Sequence, residues 1–367
     1  MMSHAHIHKH LLINSYGSWL RRHFGCRVSK VNVDGGFTCP NRDGSKGTGG
    51  CIFCDNAAFS PDGARPDISP EQQIDHGMAY HRTRLGSEKF IIYFQKFTNT
   101  YAPVEKLRDL YGRALAAPDV LGISVGTRPD ALGDDALDLL AEIGRSRYVC
   151  VELGLQSMDA SLLRWMNRGH TLAEYLEAVK RVAERGLHVC THLIYGFPGE
   201  TRASFLKTAD LLAGLPVDSV KIHQLHAVRG TRLAGMCERG ELRLISHGEY
   251  VAGVCDFLER LPGRVAIQRL YGSAPLDLLV APCWGLKNNQ MWYSIVNELK
   301  RRGSWQGCRL ADDRLLVADR TAGFEDCFLT ALPGKASDRL FPDMASAGAT
   351  FAPQGRGNGY DTQTLHR

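Results

Sequence analysis

Residues 39–54 read CPNRDGSKGTGGCIFC and bring three cysteines, Cys39, Cys51 and Cys54, within sixteen residues. The last two form a C-x-x-C pair, and a loop rich in glycine and charge separates them from the first. The start of the chain lacks the apolar stretch of a signal peptide, and no apolar run is long enough to span a membrane. We therefore expect a cytoplasmic protein without a membrane partner. Thiols stay reduced there, so clustered cysteines favour metal binding or redox chemistry over disulfides.

Two kinds of metal site are compatible with three clustered cysteines. Structural zinc takes four Cys or His ligands, so a zinc site needs one more, and the nearest histidines on either side of the loop are His23 and His76. Iron–sulfur cubanes normally take four cysteines. Three thiolates would leave one iron with an open position for a substrate or cofactor, as catalytic zinc does. The number of cysteines favours the cluster.

Hydrophobic periodicity predicts the fold class. Short apolar runs rich in Val and Ile alternate with amphipathic segments, which is typical of a parallel sheet with crossover helices. Helix starts are indicated by the N-cap residues Ser69, Thr171 and Ser246, each followed three residues later by Gln or Glu. The predicted strands are Val28–Val33, Phe90–Gln95, Leu121–Val125, Tyr148–Leu153, His188–Tyr195 and Val217–His223.

Each chemically unusual stretch follows the C-terminal end of a predicted strand. These stretches are the cysteine loop, 95-QKFTNTY-101, 126-GTRPD-130, 154-GLQS-157, 195-YGFPGE-200 and 223-HQLH-226. In parallel β/α barrels the loops after the strands converge at one face, which is where sites assemble. The sequence therefore predicts that these loops form one site.

Charge and composition change near residue 310. Residues 311–367 carry six basic and eight acidic side chains, so residues 1–310 have a formal charge of +7, which suits a polyanionic partner. The end of the chain is rich in Gly, Pro, Ala and Ser and lacks periodicity. We expect a flexible N-terminus over 1–13, a barrel over 14–262, an extension over 263–310 that packs on the barrel, and a mostly disordered tail over 311–367.

Taken together, the motifs resemble the radical S-adenosylmethionine (SAM) superfamily, and in detail its YhcC/YtqA-type group, which is similar to the radical-SAM domain of the Elongator catalytic subunit. Eleven residues separate the first two cysteines, where the commonest family pattern has three; the long spacing resembles this group. The resemblance covers about residues 14–308 and implies a partial (β/α)6 TIM-like barrel with a helical C-terminal extension. The matching stretches are 34-DGGFTCPNRDG-44, 51-CIFC-54, 127-TRPD-130, 152-ELGLQS-157, 193-LIYGFPGET-201 and 269-RLYGSAPLDLLVAPCW-284.

The resemblance implies two cofactors. In the family, three cysteine thiolates hold a four-iron four-sulfur (4Fe-4S) cluster, and the fourth iron binds the amino and carboxylate groups of SAM. One electron from the reduced cluster cleaves SAM to methionine and a 5′-deoxyadenosyl radical, which abstracts hydrogen from substrate. Cys39, Cys51 and Cys54 would then be the cluster ligands, and an electron donor such as flavodoxin or ferredoxin would be a partner.

The resemblance also implies contacts to SAM. Phe53 would lie against the adenine, and Gln95 has the position, though not the GGE-like sequence, of a segment that contacts the methionine amino group. Gln156 and Arg168 resemble the pair that contacts the ribose and the methionine carboxylate, for which an arginine fork is suited. Tyr195 and Gly196 belong to a stretch that passes beneath the adenine in the family.

Each of these residues also has an ordinary structural interpretation. Gln156 could cap a helix, Arg168 could pair with Glu174 on the surface, and Gly196 could belong to a simple turn. His192 stands where some relatives have an acidic ribose-binding residue, although a lone histidine on a strand is more often a satisfied core residue.

Kinship with Elongator implies a transfer RNA (tRNA) substrate with a wobble uridine as the target. The segment 287-KNNQMWYSIVNELKRRGSWQG-307 combines basic and aromatic side chains, as phosphate contacts beside base stacking require. The alternative is an amphipathic helix that covers the open side of the barrel, with its charges solvated.

Three functions remain open from the sequence. They are radical SAM catalysis, an iron–sulfur redox or regulatory protein without SAM turnover, and a zinc-binding module. Catalysis is favoured, because a sensor or a zinc module has no need of further motif loops on the same face as the cysteines.

Overall fold

The computed structural model describes residues 12–55 and 68–310. The predicted disordered tail, 311–367, lies outside the described residues, as does the predicted flexible N-terminus except for Leu12 and Ile13. Ile13 is buried in the core.

Nine strands occur among the described residues. Six have counterparts in the sequence analysis, and β1 and β5 have the predicted bounds. The strands are β1 (Val28–Val33), β2 (Lys89–Phe94), β3 (Val120–Thr127), β4 (Tyr148–Gln156), β5 (His188–Tyr195), β6 (Ser219–Gln224), β7 (Ala227–Val228), β8 (Ala266–Arg269) and β9 (Leu279–Ala281).

Seven strands form a parallel sheet in the order β1-β2-β3-β4-β5-β6-β8, which curls into a half-barrel. The predicted α/β partial barrel is thus confirmed, with β8 as a seventh strand that the sequence analysis did not identify. This strand has only four residues, AIQR, of which the last two are polar, so it lacks the apolar run of the others. Strands β7 and β9 pair separately as a short antiparallel ribbon.

Ten α-helices lie in the described ranges, and those between successive parallel strands provide the crossovers. They are α1 (Tyr16–Phe24), α2 (Pro70–Leu85), α3 (Val104–Ala116), α4 (Asp134–Gly144), α5 (Ala160–Trp165), α6 (Leu172–Glu184), α7 (Arg202–Gly214), α8 (Arg232–Glu238), α9 (His247–Arg260) and α10 (Asn288–Arg302). None of these helices is both long enough and apolar enough to cross a membrane.

The predicted N-caps are confirmed. The hydroxyls of Ser69, Thr171 and Ser246 each accept a hydrogen bond from the backbone N–H of the residue three positions later. The side chain of that later residue, a Gln or Glu, in turn accepts a hydrogen bond from the backbone N–H of the cap residue. These capping boxes satisfy helix-end N–H groups that have no partner within the helix. Local chemistry therefore determines where α2, α6 and α9 begin.

Helix α10 packs on α9 through Met291, Ile295 and Leu299, all buried. Arg302 lies among the carboxylates of Asp256 and Glu259 as well as Glu298 of its own helix. The helix is therefore amphipathic, as the alternative to RNA contact predicted, but it packs on α9 and its arginines form ion pairs.

We predict that Gly122→Ala strongly destabilises the sheet. A Cβ at Gly122 of β3 would lie 1.8 Å from the Tyr148 carbonyl oxygen on β4, so two paired backbones would have to move apart. We expect the free energy of unfolding in urea to fall by about 3 kcal/mol or more. The control is Gly112→Ala on α3, where a Cβ meets nothing within 4 Å and stability should rise by up to about 1 kcal/mol. Equal stability of the two variants would contradict this pairing of β3 and β4.

Candidate metal and cofactor site

A cavity of about 780 Å³ opens at the C-terminal ends of the strands. Its walls come from the inner face of the half-barrel and from the loops that follow the strands. Seven of the nine residues predicted from the sequence line it, namely Cys39, Cys51, Phe53, Cys54, Gln95, Gln156 and Arg168. The structure therefore brings these residues together, although they come from segments far apart in the chain.

The glycine-rich insertion folds back on itself and returns the C-x-x-C pair to the first cysteine. Backbone N–H groups of Lys46 and Gly47 donate to the Pro40 carbonyl at 2.9 and 3.1 Å, and Gly50 N donates to Asn41 O at 2.8 Å. Gly50 has a φ of +71°, in the left-handed region that favours glycine. The eleven-residue spacing is thus accommodated by a compact turn.

The cysteines lie among arginines. Arg168 Nη1 is 3.8 Å from Cys51 Sγ, and Arg42 Nη2 donates to the Cys54 carbonyl at 2.6 Å. Burial and the neighbouring Cys51 raise the pKa of the Cys54 thiol to about 11, while both arginines act to lower it. The Cys54 thiol is therefore neutral at pH 7 by itself, and a bound metal would supply the positive charge that favours its thiolate.

The spacing of the cysteines argues against a single zinc ion. At a Zn–S distance of about 2.3 Å, the ligands of a tetrahedral site lie about 3.8 Å apart. Among the described residues, the three potential ligand atoms that lie within 4.8 Å of one another belong to Glu152, Cys190 and His192, so the three loop sulfurs do not all lie within that distance. Wider separation suits a cluster, in which each thiolate binds a different iron.

The two histidines considered for zinc do not line the cavity. The His23 ring stacks on Trp19 of α1 at 4.7 Å and lies near Tyr148, the first residue of β4, so it is at the opposite end of the strands. His76 is exposed on α2. Neither of these two histidines is therefore placed to be the fourth ligand that a zinc site requires.

Gln156 and Arg168 meet beside Gly154. A Cβ at Gly154 would lie 2.6 Å from Arg168 Nη2 and 2.8 Å from Gln156 Nε2, so only glycine leaves room for both. Gln156 has a φ of +67°, and the register of β4 shifts between Gly154 and Gln156. A non-glycine residue in the left-handed region is held there by its surroundings, often at a functional site.

In the structure, Gln156 does not cap a helix and Arg168 does not pair with Glu174 on the surface. Arg168 is buried and donates to the Gly154 carbonyl at 2.9 Å, while Glu174 caps α6 and pairs with Lys46. Gln156 lies at the end of β4 and lines the cavity.

Two buried polar atoms, one on Gln156 and one on Arg168, test whether these residues fit SAM, the cofactor that the resemblance implies. Gln156 Oε1 and Arg168 Nε are buried and have no hydrogen-bond partner among the described residues. Buried polar groups without partners are costly, so a ligand that supplies a donor and an acceptor is expected here. SAM has ribose hydroxyls that donate and a carboxylate that accepts, and the residues present therefore fit it.

Tyr195 and Gly196 do not line the cavity. The Tyr195 ring stacks on Phe205 of α7 at 3.9 Å, on the outer side of β5, and the neighbouring Ile194 faces inward. Successive side chains of a strand point to opposite faces, so only one of these two can face the cavity. Gly196 instead begins a turn in which its N–H donates to Glu200 Oε2 at 2.8 Å. For Gly196, the turn interpretation describes what is observed.

A second polar cluster lies deeper in the cavity and includes His192, which the sequence analysis weighed as a ribose contact or a satisfied core residue. The Glu152 carboxylate is buried on β4 and contacts Lys30 of β1, Ser124 of β3 and Lys221 of β6. His192 of β5 lies 2.6 Å from it through Nε2. The signal for this cluster in the sequence is a charged residue within each of three strands that are otherwise mostly apolar, namely Lys30, Glu152 and Lys221.

The charges in this cluster are strongly coupled. Burial acts to raise the pKa of Glu152, but Lys221 and Lys30 hold it well below its usual range. Burial, followed by Lys221, lowers the pKa of His192 to about 4, so the ring is neutral at pH 7. A metal at Glu152, Cys190 and His192 is disfavoured because two ammonium groups already contact the carboxylate.

We predict that Glu152→Gln destabilises the fold by about 3 kcal/mol or more in urea unfolding, because Lys221, which is buried, and Lys30, which is partly buried, would lose their counter-charge. The matched control is Glu142→Gln, since Glu142 pairs with Arg108 on the surface and both side chains are about half exposed. Its effect should stay below about 1 kcal/mol. Similar losses in the two variants would contradict the role given to Glu152.

Comparison with known proteins places the chain in a family. Residues 42–212 match the model of the Radical SAM superfamily, and residues 217–301 match the Radical_SAM C-terminal domain. The uncharacterised protein YtqA of Bacillus subtilis is 43% identical over 78% of this chain and 89% of its own length. A tRNA uridine(34) acetyltransferase of Methanocaldococcus jannaschii is 26% identical over 50% of this chain and 33% of its own length.

The fold has a solved counterpart in the archaeal Elp3 of Methanocaldococcus infernus, studied with an N-terminal deletion. The TM-score is 0.59 at 19% identity, over 76% of this chain and 64% of that one. The resemblance inferred from the cysteine loop and the strand-end motifs is thereby confirmed: the chain belongs to the radical SAM superfamily.

Proposed function

We propose that the chain is an enzyme that cleaves SAM reductively at a 4Fe-4S cluster bound by Cys39, Cys51 and Cys54. The observation that carries the proposal is that three cysteines share one cavity with Gln156 and Arg168, whose buried polar atoms lack partners among the described residues. Family membership implies the cluster and SAM. When bound, they would supply one-electron cleavage of SAM and a radical able to abstract hydrogen.

The residues of this chain would bind and orient SAM. Arg168 donates a hydrogen bond through Nη2 to the Gly154 carbonyl, and its Nε would donate to the methionine carboxylate. Gln156 Oε1 would accept a hydrogen bond from a ribose hydroxyl. Phe53, Phe97 and Ile194 line the cavity with apolar surface. Such walls exclude water, which protects a reactive radical from side reactions.

The proposal predicts that Cys39→Ser, Cys51→Ser and Cys54→Ser each abolish 5′-deoxyadenosine formation. Each variant should bind much less iron after anaerobic reconstitution, and 5′-deoxyadenosine formed from SAM and dithionite should fall at least about 100-fold, because a thiolate ligand is lost. The matched control is Cys26→Ser, since Cys26 precedes β1 at the opposite end of the strands. It should keep full iron and activity.

The other functions predict different results in the same experiment. An iron–sulfur sensor would bind iron through the three cysteines and yield no 5′-deoxyadenosine. A zinc module would be colourless and contain one zinc per chain. Either result with the unmodified chain would overturn the proposal.

As the substrate we propose tRNA, with a wobble-uridine side chain as the target. Support comes from the relative named as a tRNA uridine(34) acetyltransferase and from the +7 charge of residues 1–310. Arg301 and Arg302 pair with Glu298, so fewer cations of 287–307 are available to phosphates than the sequence suggested. Tyr293 and Trp305 are 58% and 46% exposed and could stack on bases.

The substrate proposal predicts that tRNA from cells lacking the gene is missing a modified uridine. Mass spectrometry of nucleosides from cells with and without the gene should show the loss, and a plasmid copy should restore it. A copy carrying Cys51→Ser should fail to restore it, whereas one carrying Cys26→Ser should succeed. Identical nucleoside profiles in the two strains would overturn the tRNA proposal while leaving SAM cleavage untouched.

A further inference from the structure

Cations dominate the deep wall of the cavity, one layer below the residues assigned to SAM. Lys30 of β1, Lys221 of β6 and Arg269 of β8 line this wall, and Lys221 and Arg269 are paired neighbours in the sheet. Glu152 is the one carboxylate among the described lining residues. It contacts both lysines, so at most one of the three positive charges is neutralised.

Arg269 stands out among these cations. No carboxylate of the described residues lies within 4.0 Å of its guanidinium, and its Nε is buried without a hydrogen-bond partner there. Arg128, a buried arginine of the same cavity, is by contrast paired through two bonds with Asp130. A buried guanidinium nitrogen without a hydrogen-bond partner is costly, which indicates that the site is built for a ligand.

The histidines beside Arg269 do not change this balance of charge. Burial, with help from Arg269, lowers the pKa of His226 to about 4 and that of His223 well below its usual range. Both rings are therefore neutral at pH 7 and provide hydrogen-bonding groups rather than charge. The deep wall keeps an excess of two positive charges.

We propose that Arg269, Lys221 and Lys30 form a subsite for an oxyanion of the substrate, either a carboxylate or a phosphate. The arginine fork matches the paired oxygens of either group, and the lysines add point charges. The proposal rests on the proposed function, because the subsite shares its cavity with the cysteine loop. An anion held at the deep wall would fix the substrate's position relative to SAM, which is what radical hydrogen abstraction requires.

Binding of the anion should depend on pH through Lys221. Burial and the repulsion of Lys30 lower the pKa of Lys221 to about 8, against the attraction of Glu152. The charged or titratable groups that face it are Lys30, Tyr93, Glu152, Cys190, His192 and Arg269. The pKa values of Tyr93 and Cys190 are raised well above their usual values and those of Glu152 and His192 are low. Lys221 is thus the group that loses its proton between pH 7 and 9, and affinity should fall over that interval.

Anion titration of the reconstituted chain with SAM bound tests the subsite. Inorganic phosphate and acetate are the probes, followed by calorimetry with chloride as reference. Arg269→Gln should weaken binding of the preferred probe at least about tenfold, and Arg269→Lys, which keeps the charge and loses the fork, should weaken it less. The control Arg84→Gln, on the exposed face of α2, should bind as the unmodified chain does.

The outcomes separate the two sources of the oxyanion. Tighter phosphate binding indicates a phosphorylated substrate, and tighter acetate binding, weakening from pH 7 to 9, indicates a carboxylate. The proposal is overturned if neither probe binds better than chloride, or if Arg269→Gln binds as tightly as the control while both unfold at the same temperature. Repeating the titration with the Cys51→Ser chain distinguishes the two proposals, because the subsite should bind anions even where SAM cleavage fails.

Discussion

The buried carboxylate of Glu152 is the interaction on which the interior of the half-barrel depends. It contacts side chains from β1, β3, β5 and β6, and so links strands that lie on opposite sides of the open sheet. Without it, the ammonium groups of Lys30 and Lys221 would lie near each other with no counter-charge. The same carboxylate sets the charge of the deep wall, because it balances one cation and leaves the others for a ligand.

Above this layer, the cysteine loop and the end of β4 form a second layer with different chemistry. The glycine turn returns Cys51 and Cys54 to Cys39, and the absence of a side chain at Gly154 lets Arg168 and Gln156 approach each other. The layer near the cysteines therefore has thiols and buried polar atoms without partners, whereas the layer around Glu152 has a net positive charge at pH 7. A cofactor above and an anionic substrate group below would meet in one enclosed space.

Local signals explain why much of this was predictable. Apolar runs located six strands, capping boxes located three helix starts, and the cysteine spacing together with the strand-end motifs indicated the family. The family resemblance identified Phe53, Gln95, Gln156 and Arg168, and all four line the cavity because parallel strands bring the loops that follow them to one face. Predictions of this kind succeed because the signal lies within a few neighbouring residues.

By itself, the amino-acid sequence determined the strand and helix pattern, the three cysteines and their family. Only the tertiary structure decided that Ile194 and not Tyr195 faces the cavity, because β5 is largely buried on both faces and its pattern does not reveal which side points inward. It alone decided that β8 joins the sheet and brings Arg269 beside Lys221. Charges separated by many residues meet only when strand register places them side by side, and that register is a property of the folded chain.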